Sequence, residues 1–462
     1  MDQLTGGELR GAVPVQPRRP IVELLVLGTP TVAQQLSYTL MQFIDTWMLA
    51  FLGKHAPTAA ANSGLLAFTF ICLGIGVLWV VNTLVSQNYG QGNTVSCGRY
   101  LWQGLWFSVI FAALLLPAVP YAADVFRAFG HEEALIPLEA RYFRIVISFA
   151  VLKLAGTALG QFLLAINRPG QVFAATIIGV LANIAAAWVM IFGTLGLPQM
   201  GIAGAAWAQN IGVAVETAIL LAMVLRPVVR RTYHSLDWPI RWRLMRNLLT
   251  VGVPSGVQFI ADLLAWSVFS LVIMARFGTD AMAAQTFMMR YMIVSFMPAF
   301  GLATAVTALT GRYIGMGRID LVHARVRLGF AITATYMVCC GLVFFLWRDS
   351  LIGVFSDETE VRRVGAMLLA FAAVYQFFDA LYIIYNGALR GAGDTFVPAV
   401  ALAALNWTIC VAGGAVLAKY WPHWGPAGPW TAATAYGIIL GLFIYLRFRR
   451  GRWQSISLAD RD

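Results

Sequence analysis

The chain has 462 residues, of which 60% are hydrophobic and 11% are charged, and its mean hydropathy is +0.74. An average soluble domain has about 25% charged residues, so this composition excludes an ordinary soluble protein and indicates an integral membrane protein. The formal net charge of +11 raises nucleic-acid binding as an alternative, which the placement of the charges decides.

Apolar runs of about 20 residues, the length that a helix needs to cross a ~30 Å hydrocarbon layer, recur along the whole chain. Alternating strand patterns typical of outer-membrane barrels are absent from the sequence, so we expect an all-α integral membrane protein. We predict twelve transmembrane helices, near residues 21–50, 60–86, 98–124, 139–167, 170–196, 200–225, 249–275, 282–311, 325–348, 364–389, 396–419 and 428–447.

The first residues of the chain are polar and include Arg10, Arg18 and Arg19, which favours a retained tail over a cleaved signal. The predicted organisation is an N-terminal tail at 1–20, a six-helix lobe at 21–225, a basic connector at 226–247, a second six-helix lobe at 248–447 and a C-terminal tail at 448–462.

Basic residues gather on one side of the predicted bundle. Arginines fill the connector, the segment after the eighth span and the tail after the last, whereas the opposite loops hold acids such as Asp124 and Glu358. By the positive-inside rule, we expect a multi-pass protein of the cell inner (plasma) membrane with both termini in the cytoplasm. The basic excess therefore reflects topology and contact with membrane lipids, and we expect no nucleic acid as a partner.

The two halves of the chain repeat each other. Gly28-Thr29-Pro30 recurs as Gly252-Val253-Pro254, and Asn183 recurs as Asn406; through five such landmarks the offset stays between 223 and 225 residues. Each half has an even number of predicted spans, so both copies enter the membrane from the same side. We therefore expect a parallel repeat with a substrate path between the lobes.

Glycine-rich motifs at Gly90 and Gly391-Ala392-Gly393 lack the glycine–lysine–serine/threonine ending of a phosphate-binding loop. We interpret these glycines as tight turns between helices. Transport without a nucleotide site must draw on an ion gradient or on another bound domain.

The ordered motifs resemble the multidrug and toxic compound extrusion (MATE) family over nearly the whole chain, and especially its NorM-like members. The matching residues are Pro30 with Ile44-Asp45-Thr46, Gln87-Asn88-Tyr89-Gly90, Gly252-Val253-Pro254 with Asp262, Phe296-Met297-Pro298, Gly315-Met316-Gly317, and Asp379 followed by Leu389-Arg390-Gly391-Ala392-Gly393-Asp394-Thr395. This resemblance implies a V-shaped fold of two six-helix bundles. It also implies a secondary antiporter that exports organic cations or drugs in exchange for Na⁺ or H⁺.

Two carboxylates lie within predicted spans of the second lobe, Asp262 and Asp379. A carboxylate there costs on the order of 3 kcal/mol on insertion scales, so it normally faces the bundle interior and has a partner or a function. Helical spacing places Gln258 one turn before Asp262. The same spacing places Tyr375, Asp379, Tyr382 and Asn386 on one face of the tenth helix.

The resemblance implies that Asp262 and Asp379 couple transport to an ion, with Tyr375 one turn before the second. Their oxygen atoms suit Na⁺, so the pair is a candidate metal site for that ion, and paired carboxylates equally suit a proton. NorM-like relatives usually have Glu at position 262, so the shorter Asp leaves the ion open. The structural alternative is an ion pair with Arg290 in the same lobe.

The first lobe carries Asp45 and Asn183, which match family positions for ion coupling and substrate binding. A buried pair between Asp45 and Lys153 is the structural alternative, and Ala187 stands where relatives often have an amide or acid. Glu216 has no matching motif, and we interpret it as a helix-packing hydrogen-bond partner.

We predict substrate contacts at Asp45, Asn183, Gln258, Tyr382, Asn386, Met288 and Met292. The methionines suit flat organic cations but are equally explained by packing. We expect a monomer that is not an enzyme and uses no cofactor beyond the coupling ion. A lipid-linked saccharide or lipid flippase of the same superfold is the alternative function, and a membrane-embedded lipid enzyme is a more distant one.

Overall fold

The computed structural model describes residues 19–53, 55–194, 196, 198–456 and 458, which are helical and contain no β-strand. The predicted tail 1–20 lies outside them except for its last two residues. The long helices, in chain order, are α1 Pro20–Ala50, α2 His55–Gln91, α3 Thr94–Ala118, α4 Ile136–Ser148 with Ala150–Ala165, α5 Pro169–Phe192, α6 Ile202–Leu225, α7 Trp242–Phe277, α8 Thr279–Gly315, α9 Ile319–Leu346, α10 Thr359–Ala392, α11 Phe396–Tyr420 and α12 Ala427–Arg449.

These helices confirm the predicted all-α fold of twelve helices. Ten of them are long and apolar enough to span a membrane, and α4 makes eleven when its two segments, bent by 46°, count as one span. The remaining helix, α1, has 31 residues, and polar side chains interrupt its apolar sequence. The connector is shorter than predicted, because α7 already begins at Trp242.

The internal repeat is visible in how the lobes cross. Helix α1 packs against α5 of its own lobe and α8 of the other, and its counterpart α7 packs against α11 of its own lobe and α2 of the other. Gly28 and Gly252, which are equivalent in the repeat, lie at these crossings: a Cβ at Gly28 would lie 2.6 Å from Leu302, and one at Gly252 would lie 2.8 Å from Val77. Lipid is as apolar as the side chains, so close packing through small residues holds such helices together.

We call the end of the bundle that carries the connector, Arg318 and Arg447 the basic end, and the opposite end the acidic end. The contacts that join the lobes in the described part of the chain run from mid-bundle to the basic end. There α2 meets α8 backbone to backbone, since a Cβ at Gly90 would overlap the Arg312 carbonyl and one at Gly315 would overlap that of Gln87. We call this contact, together with the adjacent contacts of α2 with α10 and of α1 with α8 and α9, the seam.

The interpretation of these glycines as turns was wrong for Gly90 and Gly391, because both lie inside helices, and correct for Gly393. Gly391 approaches the Thr307 carbonyl of α8, where a Cβ would lie at 2.5 Å. The turns are made by Gly92 and Gly393, whose φ angles of +80° and +86° are left-handed.

Polar groups of the seam find partners across it. Thr83 Oγ1 of α2 donates to the Arg390 carbonyl at 2.9 Å, and Gln87 Nε2 donates to the Gly391 carbonyl at 3.0 Å. The Gln87 side-chain oxygen in turn accepts from the backbone N–H of Leu458, at 3.1 Å, so the C-terminal tail also lies on the seam.

A buried ion network closes the seam between α1, α8 and α9. Glu23 of α1 accepts from Arg325 Nε at 2.8 Å and from the Tyr313 hydroxyl at 2.7 Å, and Arg312 Nη1 lies 3.6 Å from it. Glu23 is 6% exposed and Arg312 is 1% exposed, so this network is shielded from water.

The connector is fastened to α3 by Asp237, which accepts from Arg99 Nε and Arg241 Nη2, each at 2.8 Å. Partial burial opposes ionisation, but the hydrogen bonds from the two arginines outweigh it and hold the pKa of Asp237 below its usual value. A carboxyl group whose pKa is depressed in the folded state stabilises that state above its unfolded pKa and loses the effect as pH falls through the folded pKa.

Asp237→Asn is expected to lower stability at pH 7 by about 1 kcal/mol, because it removes the anion between two guanidinium groups. The deficit should shrink in acid, as the pH falls through the lowered pKa of Asp237 and the wild-type carboxyl group becomes protonated as well. Thermal unfolding of purified protein in detergent, at pH 7 and in acid, measures the difference in stability between wild type and Asp237→Asn. Asp124→Asn, which breaks an exposed pair with Arg127, is the control; an equal deficit at both pH values would contradict the expectation.

Candidate functional site

The two carboxylates of the second lobe come together between α7, α10 and α11. Asp262 accepts a hydrogen bond from Asn406 Nδ2 of α11 at 2.9 Å, and Asp379 of α10, which is 9% exposed, lies close enough for the two charges to interact. Arg290 is exposed and makes no ion pair with either acid in the described structure. The alternative of a structural Asp–Arg290 pair is therefore wrong.

A second set of side chains extends this cluster along α10 towards the basic end. Gln258 Nε2 donates to the Tyr382 hydroxyl at 3.0 Å and lies 3.3 Å from Asn386 Oδ1. Tyr375, one turn before Asp379, is buried beside the acids. The structure thus brings together every residue that the sequence analysis assigned to the second-lobe site on α7 and α10.

Sequence reasoning missed two neighbours of Asp262. Asn406 was available as the repeat counterpart of Asn183, so the repeat itself was the signal that pointed to it. Tyr436 of α12 also lies near Asp262, and no pattern in the sequence marked it.

The helix that carries Asp262, α7, and the neighbouring helix α11 both depart from α-helical geometry close to this residue. α7 is π-helical at Phe269–Ile273, and α11 is π-helical at Asn406–Gly413. A π segment inserts an extra residue per turn, shifts the direction of the side chains that follow, and is frequent at functional sites. Asn406 begins its segment and is directed at Asp262.

A polar cluster also fills the interior of the first lobe. Glu216 Oε1 of α6 accepts from the Tyr38 hydroxyl of α1 at 2.6 Å and from Thr176 Oγ1 of α5 at 2.7 Å. Gln34 Nε2 donates to Thr176 Oγ1 at 3.1 Å. Glu216 does join helices by hydrogen bonds, as interpreted from the sequence, and it also places a buried carboxylate beside the ring of Tyr38.

Lys153 does not pair with Asp45 in the described structure. Its ammonium lies over the ring of Tyr38, 4.5 Å from the ring centroid, so the predicted alternative of an Asp45–Lys153 pair is wrong. The difference arises because α4 directs Lys153 towards the middle of α1, whereas Asp45 lies two turns further along that helix.

Asp45 and Asn183 lie next to each other, but three of their polar side-chain atoms have no hydrogen-bond partner in the described structure. Asp45 Oδ1 and both amide atoms of Asn183 are buried and make no hydrogen bond shorter than 3.5 Å among the described residues, although the two side chains approach closely. A buried polar group without a partner costs about 1–3 kcal/mol. The pair is therefore suited to bind a cation or a polar ligand.

The two methionines differ in their surroundings. Met288 is fully buried in the core of the second lobe, and Met292 packs against that core while partly exposed. Met292 is thus the more accessible of the two predicted substrate contacts.

No group of three or more His, Cys, Asp or Glu side chains able to hold a metal occurs in the part of the chain that the structure describes. A cation at Asp262 and Asp379 would rely on two carboxylates and on neutral oxygens such as those of the tyrosines. A separate cavity of about 470 Å³, lined by Trp242, Arg246 and Leu458 among others, lies at the basic end and away from both clusters.

Comparison with known proteins supports this division into two repeats. A family model described as MatE matches residues 30–189 and 254–413, two segments whose starts are 224 residues apart. The chain is 30% identical over 442 residues to a protein of Pseudomonas syringae pv. tomato, covering 91% of each chain, and 26% identical over 455 residues to one of Thermotoga maritima, covering 95% of this chain and 94% of that protein. Both are named "Probable multidrug resistance protein NorM".

A solved structure with the same fold is described as the outward-facing conformation of a multidrug resistance MATE family transporter of the MOP superfamily. It superimposes with a TM-score of 0.86 at 18% sequence identity, and the match covers 95% of this chain and 98% of that one.

Gly437→Ala tests whether α12 positions Tyr375. A Cβ at Gly437 would overlap the Tyr375 ring beside Asp379, whereas one at Gly428 of the same helix would meet its neighbours at an ordinary 3.6 Å. Overpacking of this kind costs about 1–3 kcal/mol, so Gly437→Ala should unfold at lower temperature than Gly428→Ala in detergent. Equal unfolding temperatures would mean that Tyr375 can move aside freely.

Proposed function

Because the chain belongs to the MatE family of membrane transporters, we propose that it is a secondary active antiporter. It exports organic cations or drugs in exchange for inward-moving Na⁺ or H⁺, by alternating access between its two lobes. The named relatives support multidrug efflux as the direction and the substrate class.

The observation that carries the proposal is the pair of carboxyl groups inside the second lobe that have no basic partner among the described residues. Asp262 and Asp379 lie in spans, close to each other, and form no ion pair with a base in the described structure. Each ionised carboxylate costs on the order of 3 kcal/mol at such depth. A monovalent cation or a proton relieves this cost, which makes the pair the coupling site.

Substrate contacts follow from the same geometry. An organic cation gains about 0.5–2 kcal/mol from the face of an aromatic ring, and more from a nearby carboxylate. The aromatic residues Tyr375 and Tyr382 flank the acids in the second lobe, and Tyr38 does so in the first. We assign substrate binding to Asp45, Asn183, Gln258, Tyr382, Asn386 and Met292; Met288 would support them from the core.

Alternating access requires the seam to open. The positive-inside rule supports a basic end, with both termini, on the cytoplasmic side of an inner membrane. On that assignment the structure is closed to the cytoplasm, because the backbone contacts between the lobes lie at the basic end. The inward-facing state then forms when the backbone contacts at Gly90 and Gly315 separate.

The energetics predict more than one coupling ion. A tenfold Na⁺ gradient supplies about 1.4 kcal/mol, and a potential of about 100 mV adds about 2.3 kcal/mol for each net charge moved. One Na⁺ exchanged for one monovalent drug moves no net charge, so the potential contributes nothing. Steep expulsion of a cation therefore needs a second ion in each cycle.

A flippase for lipid-linked saccharides is the alternative within the same superfold. It would have to bind a pyrophosphate, which requires a cationic cavity. The acids of the second lobe disfavour it.

Asp379→Asn is expected to reduce gradient-driven efflux of ethidium from proteoliposomes at least tenfold, because asparagine keeps the shape but cannot carry the charge. A Na⁺ gradient and a proton gradient are imposed separately, and the one that drives wild-type efflux names the ion. The control is Asp357→Asn, an exposed loop acid. Unchanged efflux in Asp379→Asn would remove this residue from coupling. If neither gradient moves ethidium in wild type, the flippase is favoured.

Glu23→Gln is expected to shift the protein towards the state open at the basic end. It leaves Arg312 and Arg325 buried without their shared anion, and breaking a buried pair in this way costs about 3–5 kcal/mol. The distance between spin labels at Gln91→Cys and Arg327→Cys, measured by double electron–electron resonance spectroscopy, should lengthen. Asp320→Asn, which breaks an exposed pair with Arg318 at 2.8 Å, should leave them unchanged. Identical distances in Glu23→Gln would mean that this network does not hold the seam.

A further inference from the structure

Lys153 is the one basic side chain that the described structure places in the polar interior of the first lobe. Its ammonium faces the Tyr38 ring at 4.5 Å and lies within 4.0 Å of no described carboxylate. A lysine inside a span costs about 2.5–3.5 kcal/mol on insertion scales. Contact with a ring face offsets part of that cost but leaves the ammonium unpaired.

The Tyr38 ring under this ammonium is held in a position suited to bind a cation. The hydroxyl of Tyr38 donates a hydrogen bond to Glu216 Oε1 at 2.6 Å, which fixes the ring and places a carboxylate at its edge. Asp45 lies seven residues further along the same face of α1, with its buried Oδ1 unpaired. A fixed aromatic face with one carboxylate at its edge and a second about two helical turns away is the chemistry that recognises an organic cation.

The second lobe has no equivalent cation. At the repeat offset of Lys153, residues 376–378 are Gln-Phe-Phe, and at the repeat position of Tyr38 stands Asp262. The two lobes therefore share a scaffold but differ in charge: the second has no base at the position of Lys153, since its buried Arg390 lies further along α10 over the ring of Trp79, and the first has acids with a lysine.

We infer that Lys153 is a tethered competitor: its ammonium occupies the organic-cation position over Tyr38 in the first lobe, and a cationic substrate must displace it to bind there. This inference rests on the proposed function for the class of substrate. The flexible four-carbon stem allows the ammonium to leave the ring and to return when the substrate departs. Lys153 would then weaken substrate binding and assist release, and it would favour large cations that cover the ring over small ones.

The test is equilibrium binding of radiolabelled tetraphenylphosphonium to the full-length protein in nanodiscs, with no gradient. Lys153→Met and Lys153→Gln should each bind about tenfold tighter than wild type, and Lys153→Arg should bind like wild type because it keeps the cation. Tyr38→Leu in the Lys153→Met background should abolish the gain. Tetraphenylborate, which has the same shape and the opposite charge, should not bind tighter to either neutral variant.

Lys419→Met is the matched control, since Lys419 also stacks on a tyrosine, Tyr420, at 5.3 Å, but at the exposed acidic end. Its affinity should equal that of wild type, and tighter binding there would reduce the effect to overall charge and overturn the inference. Equal or weaker binding in both neutral Lys153 variants would also overturn it. A lysine with a merely structural role predicts lower thermal stability without tighter binding.

Failure of the proposed function gives a different pattern. If Lys153→Met binds tetraphenylphosphonium tighter but no gradient drives efflux from wild type, the antiport proposal fails and the role of Lys153 stands. If wild type exports ethidium but the neutral variants gain no affinity, the role of Lys153 fails alone. If no form of the protein binds tetraphenylphosphonium, both fail.

Discussion

Backbone contact between the lobes at the seam is the constraint on which the rest of this structure depends. Gly90 and Gly315 let α2 and α8 touch without side chains between them, and a Cβ at Gly76 would lie 2.6 Å from Gly256 at the crossing of α2 with α7. Helices this close exclude lipid and water, so the polar groups along them must find partners across the contact. The hydrogen bonds of Gln87 and the ion network around Glu23 meet part of that requirement, whereas Arg312 Nε and Nη2 are buried without a hydrogen-bond partner among the described residues. In the proposed transport cycle the same contact separates, which many modest interactions allow more readily than an interlocked core.

The proposed coupling site lies close to this contact along α7. Gly256, where α7 touches α2, precedes Asp262 by less than two helical turns, and the π segment of α7 follows Asp262 by a similar distance. The carboxylate therefore lies between the point where α7 is anchored to the other lobe and the point where its geometry becomes irregular. A cation bound at Asp262 changes the charge at the part of α7 that is best placed to respond. The proposed exchange needs such proximity, because an ion can bias access only through an element that differs between the two states.

The repeat provides two similar frames that carry different chemistry. Gln34 and Gln258 occupy equivalent positions, as do Tyr38 and Asp262, yet the first glutamine donates to Thr176 and the second to Tyr382. Differences at a few buried positions give the second lobe a pair of neighbouring acids and give the first lobe an internal lysine. The proposed division of labour between ion and substrate rests on that difference, since an acid pair without an ion-paired base attracts small cations and an aromatic face with a tethered ammonium favours large ones.

The sequence by itself determined the class of protein, the twelve helices, the repeat and the members of the second-lobe cluster on α7 and α10, but not Asn406 and Tyr436. Each of these follows from local order: the lengths of apolar runs, the constant offset between Gly28 and Gly252, and the helical spacing from Tyr375 to Asn386. Only the tertiary structure decided which charged groups meet. Lys153 faces Tyr38 instead of Asp45, Arg290 is exposed instead of paired, and Gly90 is a lobe contact instead of a turn. The physical reason is that the direction of a side chain depends on how its helix is rotated and tilted against its neighbours, and packing between distant segments sets that orientation.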